Sequence, residues 1–199
     1  MAGAVVGQAT IGVVLAGGRS RRMGRDKALL AHPECGSFLE HADALLRTLP
    51  LAQVVTSGAR PGGIEDLVPE RGPLGGLYSV ALATGADAAL VIPVDMPLLR
   101  RAHLAELLVE GQHRGCPCYF ENCFFPLWLP LNQPCLDYLC RAVAGSAHNS
   151  VGALLRHLGA KSISLTNDGE WHRNINTPAD YLGLGMPDKI SENRFLRDH

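Results

Sequence analysis

Through the first 110 residues, short β-branched apolar runs alternate with segments whose apolar residues return at helical spacing. A strand, a crossover helix and a second strand can share one sheet only as a parallel pair, with the helix laid on a face of that sheet. The strand-like runs are "TIGVVLAGG" (about 11–16), "LAQVVTSG" (51–58), "IEDLVPERG" (64–72, a short strand and loop) and "ADAALVIPVDMP" (86–97). Between them, Ser37 is placed to cap a helix reaching about Leu49, with Phe38, Leu39, Ala42, Leu45, Leu46 and Leu49 on its apolar positions. "PLGGLYSVALATG" (73–85) opens on proline and closes on glycine, the usual asymmetry of a helix. "LRRAHLAELLVEG" (99–111) is a further helix.

Beyond residue 110 the pattern changes. "GCPCYFENCFFPLWLPL" (115–131) predicts an antiparallel hairpin turning tightly at Glu121–Asn122. Helices are expected near 133–145 and 150–158, a strand at 160–165, a strand or extended segment at 171–177, and a last helix from Pro178. The expected fold is α/β, a three-layer Rossmann-like arrangement around a mostly parallel central sheet. Residues 1–186 are read as a single domain and 187–199 as a polar tail.

The composition excludes several classes. The chain has 199 residues and a formal net charge of -1, with 47% hydrophobic and 19% charged residues, so its overall charge points to no nucleic-acid or membrane partner. No apolar run is long enough to span a bilayer, and the apolar N-terminus lacks the basic segment that opens a signal peptide, so a cytoplasmic protein is expected. Six cysteines do not make a disulfide scaffold. Cys116, Cys118 and Cys123 lack paired zinc-ligand spacing and read as small hydrophobes in a strand-like stretch.

Charge is concentrated in one place. "VLAGGRSRRMGRDKALL" (14–30) holds Arg19, Arg21, Arg22, Arg25 and Lys27 against the single acid Asp26. Gly17 and Gly18 follow a strand directly, so their backbone can approach a ligand, with N–H groups for phosphate oxygens and cations for its charge. A solvated basic loop is the alternative. The stretch matches neither a Walker A loop nor G-x-G-x-x-G. Ligands of such sheets bind beyond the carboxyl ends of the strands, which draws attention to Thr56–Ser57, Asp66 and Asp95. Asp95, in "PVDMP", reads as a Mg²⁺ ligand or as a turn aspartate before Pro97. "RGPLGGL" (71–77) reads as a close-approach surface or as a packed helix start. In "NINTPADY" (174–181), Thr177 reads as an N-cap and Asn176 as an oxygen donor to a metal or its water shell.

The order "LAGGRSRRMGRDKALL", "ED…RGPLGGL", "PVDMP" and "NINTP" resembles the MobA-like nucleotidyltransferases of molybdenum cofactor maturation, the guanylyl-transferring members above all, across about residues 11–182. The resemblance implies a nucleotidyltransferase fold. It implies transfer of GMP from GTP to the terminal phosphate of the molybdopterin molybdenum cofactor, with Mg²⁺, in a protein serving molybdoenzymes or their chaperones. Carried over by position, Leu15, Ala16, Gly17 and Gly18 line the nucleotide. Lys27 contacts its phosphates, with Arg22 as a second catalytic cation. Asp66 binds nucleotide, with Glu70 as a rival, and Asp95 binds both Mg²⁺ and nucleotide. Asn176 is a further metal-shell residue. Where the family carries Asn at the end of its second strand, this chain reads "VVTSG", so either Thr56 or Ser57 takes the place or the contact is absent. The family's His-Pro after the hairpin reads Phe125–Pro126 here. A CTP-using relative, a sugar-phosphate nucleotidyltransferase and a non-catalytic nucleotide or cofactor carrier are the competing readings.

Overall fold

A computed structural model describes residues 9–17, 26–33, 36–164 and 170–184. Its six strands are β1 (Thr10–Leu15), β2 (Val54–Ser57), β3 (Ala88–Pro93), β4 (Cys118–Phe120), β5 (Leu127–Pro130) and β6 (Lys161–Ile163). They form one sheet in the order β2-β1-β3-β5-β4-β6. β1 pairs in parallel with β2 and β3. β5 runs against both β3 and β4, while β4 and β6 are parallel. The sheet is therefore mostly parallel with one reversed strand, as the strand–helix alternation requires for its first half.

The helices are α1 (Phe38–Arg47), α2 (Gly72–Thr84), α3 (Arg101–Arg114), α4 (Gln133–Val143), α5 (Val151–His157) and the short α6 (Pro178–Leu182). One face of the sheet packs Val14, Leu90, Ile92 and Trp128 against Leu46 of α1 and Leu104 and Leu107 of α3. The other packs Ile11, Val13, Val91 and Leu129 against Leu77 of α2, Leu139 of α4 and Leu154 of α5. Alternate side chains of a strand point to opposite faces, so strands whose residues are apolar throughout must be covered on both. That gives the three layers.

Local sequence sets the boundaries. Ser37 accepts a hydrogen bond from the Glu40 N–H while Glu40 reaches back to the Ser37 N–H, a capping box that starts α1. Pro73 lies in the first turn of α2 and Gly85, left-handed at φ 59°, ends it. Trp128 and Trp171 are buried packing residues. Cys118 and Cys123 sit in the hydrophobic layer, and burial pushes both thiols up to about 11, so they persist as neutral apolar groups.

Two expectations need correction. Residues 64–72 are not a strand. Ile64 makes a single parallel bridge with Ser57, and the acidic pair Glu65–Asp66 breaks the apolar alternation. Glu121–Asn122 do turn, with Asn122 at φ 63°, but the hairpin register pairs Tyr119 with Leu127, so the connection is a longer loop that holds a cis Phe125–Pro126 bond. Residues 171–177, expected as a strand or extended segment, form no strand; after a turn at 171–172 they run without regular structure to the extended N-cap Thr177 of α6.

Candidate functional site

The carboxyl ends of β2, β1 and β3 lie side by side, with Leu15 in register with Ser57 on one side and Pro93 on the other. The chain leaves β1 under tight backbone control. The Ala16 N–H donates to Ser57 O (3.0 Å), and the Val94 N–H donates to Leu15 O (3.1 Å). Ala16 O is also engaged, by Arg60. Gly17 is exposed at the mouth. Gly58, at φ 133°, lies so close that a Cβ there would stand 3.0 Å from the Gly17 nitrogen.

Beyond β3, three residues far apart in sequence converge. The Lys27 ammonium donates to Asp95 Oδ2 (3.0 Å) and to Asn176 Oδ1 (2.7 Å). Lys27 opens a 3-10 turn (Lys27–Leu29) after the basic loop. Asp95 follows β3, and its carbonyl accepts from the Ile175 N–H (2.9 Å), which fixes Asn176 beside it. A small cluster of Leu30, Phe38, Ile175 and Tyr181 holds the C-terminal segment against the 3-10 turn and α1. The Tyr181 hydroxyl donates to Ala31 O (3.1 Å). Thr177 caps α6, with Asp180 receiving the N–H groups of Asn176 and Thr177. The cap is at Thr177, and it sets the loop that points Asn176 Oδ1 at the Lys27 ammonium.

The two acceptor oxygens of Asp95 and Asn176 are hard donors that already share one cation, the lysine ammonium. That donor set suits Mg²⁺, which binds through one or two protein oxygens and takes its other ligands from phosphates and water. Among the described residues no group of three or more His, Cys, Asp or Glu could hold a metal alone.

Beyond β2 the electrostatics differ. Asp66 lies on the first turns of α2, its two oxygens 3.5 and 3.7 Å from where Cβ atoms would stand on Gly76 and Gly75. A Cβ on Gly76 would also meet Ser57 Oγ at 2.3 Å, so "GPLGGL" is a close-approach surface for Ser57 and Asp66. Asp66 Oδ1 is buried with no hydrogen-bond partner among the described residues. Burial, and then the charge of Glu65, push its carboxyl above the usual range. Glu70 is exposed in a turn at φ 62°. Thr56 is half-buried beside Val14, and its carbonyl accepts from the Ile64 N–H. Gly18 and Arg22, with Arg19, Arg21 and Arg25, lie outside the described residues.

Arg60 and Asp26 escaped the sequence reading. Arg60 stands in "ARPGG", which reads only as a turn, and Asp26 sits among five cations. The acid before Lys27 was the one available signal.

No helix among the described residues is long and apolar enough to cross a membrane. Residues 12–162 match the sequence model of the MobA-like NTP transferase domain. A molybdenum cofactor guanylyltransferase of Xanthomonas euvesicatoria is 46% identical over 180 residues, covering 87% of this chain and 93% of that protein. A probable molybdenum cofactor guanylyltransferase of Rhodopirellula baltica is 33% identical, covering 89% and 90%. Among solved structures, the molybdopterin-guanine dinucleotide biosynthesis protein A of Archaeoglobus fulgidus superposes with a TM-score of 0.66 at 21% identity, covering 88% of this chain and 100% of that one. A Mycobacterium tuberculosis protein in complex with manganese superposes at 0.62 and 20% identity, covering 88% and 97%. By the span of the matched domain and the identity to full-length relatives, the chain belongs to the MobA-like NTP transferase family.

Proposed function

We propose that this protein transfers GMP from GTP to the terminal phosphate of the molybdopterin molybdenum cofactor and releases pyrophosphate. A molybdoenzyme or its chaperone receives the product in the cytoplasm. Residues 1–186 act as one nucleotidyltransferase domain. The observation that carries this reading is the convergence of Lys27, Asp95 and Asn176 at the end of β3. Membership in the family and the 46% identical guanylyltransferase support it.

The acceptor phosphate is already an anion, so no enzyme nucleophile is required. Its oxygen attacks the α-phosphorus of GTP in line, and the bond to the pyrophosphate oxygen breaks. The protein's task is positioning and charge neutralisation. Gly17 and Gly18 let the triphosphate approach the backbone. Lys27 answers the charge that grows on the α-phosphoryl oxygens, with Arg22 as a second cation from the basic loop. Asp95, with Asn176 as a further oxygen donor, would hold Mg²⁺, which would supply positive charge against the phosphates. On the β2 side, the Asp66 oxygen, without a partner among the described residues, is an acceptor for a donor from the nucleotide, with Thr56 and the Leu15–Ala16 backbone forming the adjoining wall.

A thermal-shift series with GTP, CTP, ATP and UTP, each with Mg²⁺, tests the nucleotide. Ligands that bind the native state raise its melting temperature, and GTP is expected to raise it most. A larger rise with CTP would overturn the guanylyl assignment. Tight GTP binding without pyrophosphate release in the presence of the molybdenum cofactor would indicate a carrier.

A further inference from the structure

The basic loop leaves the sheet at Ala16 and returns at Asp26, and both stems are held by one side chain from another loop. The Arg60 guanidinium donates to Ala16 O from Nε (3.3 Å) and Nη2 (3.1 Å), and from Nη2 to both carboxylate oxygens of Asp26 (2.7 Å each). Its side chain is only 16% exposed. Arg60 is itself held in a tight turn: its N–H donates to Gly58 O (2.9 Å), and its carbonyl accepts from the Gly63 N–H (2.9 Å). Gly63 admits no side chain there, since a Cβ would lie 2.5 Å from Gly58 O. On the far side, Asp26 caps the 3-10 turn by accepting from the Ala28 N–H (3.1 Å). The first residue of that turn is Lys27.

We propose that Arg60 is a positioning residue for nucleotide transfer: its guanidinium clamps the two stems of the basic loop and, through Asp26, sets the turn from which Lys27 reaches Asp95 and Asn176. This rests on the function proposed above for Lys27. A planar fork suits the task, because it can serve a carbonyl and a carboxylate at once in fixed geometry, which a lysine ammonium on a flexible stem does less well. Burial opposes ionisation of Asp26, but its hydrogen bonds to Arg60 and the Ala28 N–H, with the charge of Arg60, outweigh this and hold the carboxyl below its usual range. The Asp26 side of the clamp therefore stays charged at neutral pH. The clamp also ties the turn after β2 to both stems of the basic loop.

The test uses the full chain with Arg60→Ala, Arg60→Lys, Asp26→Asn and the double variant Arg60→Ala/Asp26→Asn. Hydrogen exchange at the Ala28 and Leu30 amides reads the clamp without any nucleotide. Protection is expected to fall in Arg60→Ala, fall less in Arg60→Lys, and fall no further in the double variant. With GTP, Mg²⁺ and the molybdenum cofactor, kcat is expected to drop about 10- to 100-fold in Arg60→Ala, the range expected of a misplaced catalytic group. Added guanidinium at low millimolar concentration is expected to restore part of the lost rate, and equal sodium chloride none. Unchanged protection at Ala28 and Leu30 in Arg60→Ala would overturn the clamp, whatever nucleotide the wild type takes. So would independent, additive losses in the double variant. If Arg60→Ala does not fold, Arg60→Lys with wild-type protection and wild-type kcat would overturn it. A wild type that ignores GTP refutes the proposed function instead, and the exchange data still decide the clamp.

Discussion

Beyond β3, Asp95 meets a cation supplied by the chain itself; beyond β2, Asp66 meets none among the described residues. Asp95 is paired with Lys27 at 3.0 Å, and both side chains are mostly buried. Asp66 carries one buried oxygen with no partner among the described residues, on a carboxyl pushed up by burial and by Glu65. A buried acceptor without a donor costs stability in the free protein. A carboxylate beside an ammonium is compensated. Under the function proposed above, the contrast gives different work to the two strand ends. On that proposal, the Asp95 side would manage cations against phosphate charge. The Asp66 side is open to a donor that the ligand brings.

The largest effect that could break this contrast is expected from Lys27. Lys27→Met should lower kcat/KM by about 10²- to 10³-fold, the usual loss when one preorganised charge-stabilising donor is removed. It should also leave Asp95 uncompensated in the free protein. Steady-state kinetics with GTP and the molybdenum cofactor check the first point. A loss confined to KM would instead make Lys27 a ground-state binder. Asp95→Asn should abolish Mg²⁺-dependent turnover and weaken Mn²⁺ binding measured by electron paramagnetic resonance. Unchanged turnover would remove Asp95 from the metal site.

Asp66→Asn sharpens the other half. GTP affinity is expected to fall by about tenfold, the scale of one hydrogen bond to a charged group, as read by calorimetric titration. The free protein should melt slightly higher, by about 1–2 °C at pH 7, because solvent still reaches part of the carboxylate and screens it. The sign follows from linkage. A carboxyl whose native pKa is raised binds its proton more tightly folded than unfolded. Stability therefore declines as pH climbs from 3.8 through the raised native value and is level above it. Melting curves of wild type and Asp66→Asn between pH 3.5 and 7 should converge toward the acid end. Curves that stay parallel would mean Asp66 finds a partner in solution. The smallest effect is expected from Ser37→Ala, which removes the α1 cap at a cost of about 1 kcal/mol and leaves nucleotide binding unchanged.

Much of the sheet was legible in the chain because its driving signal is local. β-branched runs such as 10–15 and 88–93 end at glycine or proline, and Pro73 and Gly85 bound α2 at sequence range. The false strand at 64–72 shows the limit: one isoleucine followed by two acids can make a bridge but not a ladder. At the site, Asp95 stood out as a carboxylate at a strand end. Lys27 and Asn176 stood out too, but nothing in the sequence showed that the three meet. Asn176 lies 149 residues from Lys27, and they meet because Leu30, Phe38, Ile175 and Tyr181 form a separate small core. No periodicity announces such a cluster, and "NINTP" drew attention through family resemblance and a cap signal alone. Arg60 was invisible for a related reason. A cation in a Pro-Gly turn reads as solvated until the fold brings Ala16 O and Asp26 to it.

The central claim is that the Lys27–Asp95–Asn176 cluster serves guanylyl transfer. It is tested most directly by pyrophosphate release from purified protein given GTP, Mg²⁺ and the molybdenum cofactor, with CTP in a parallel reaction. The account predicts one pyrophosphate per cofactor consumed with GTP, little with CTP, and none with GTP in Asp95→Asn. Equal or greater release with CTP, or full release in Asp95→Asn, would contradict it.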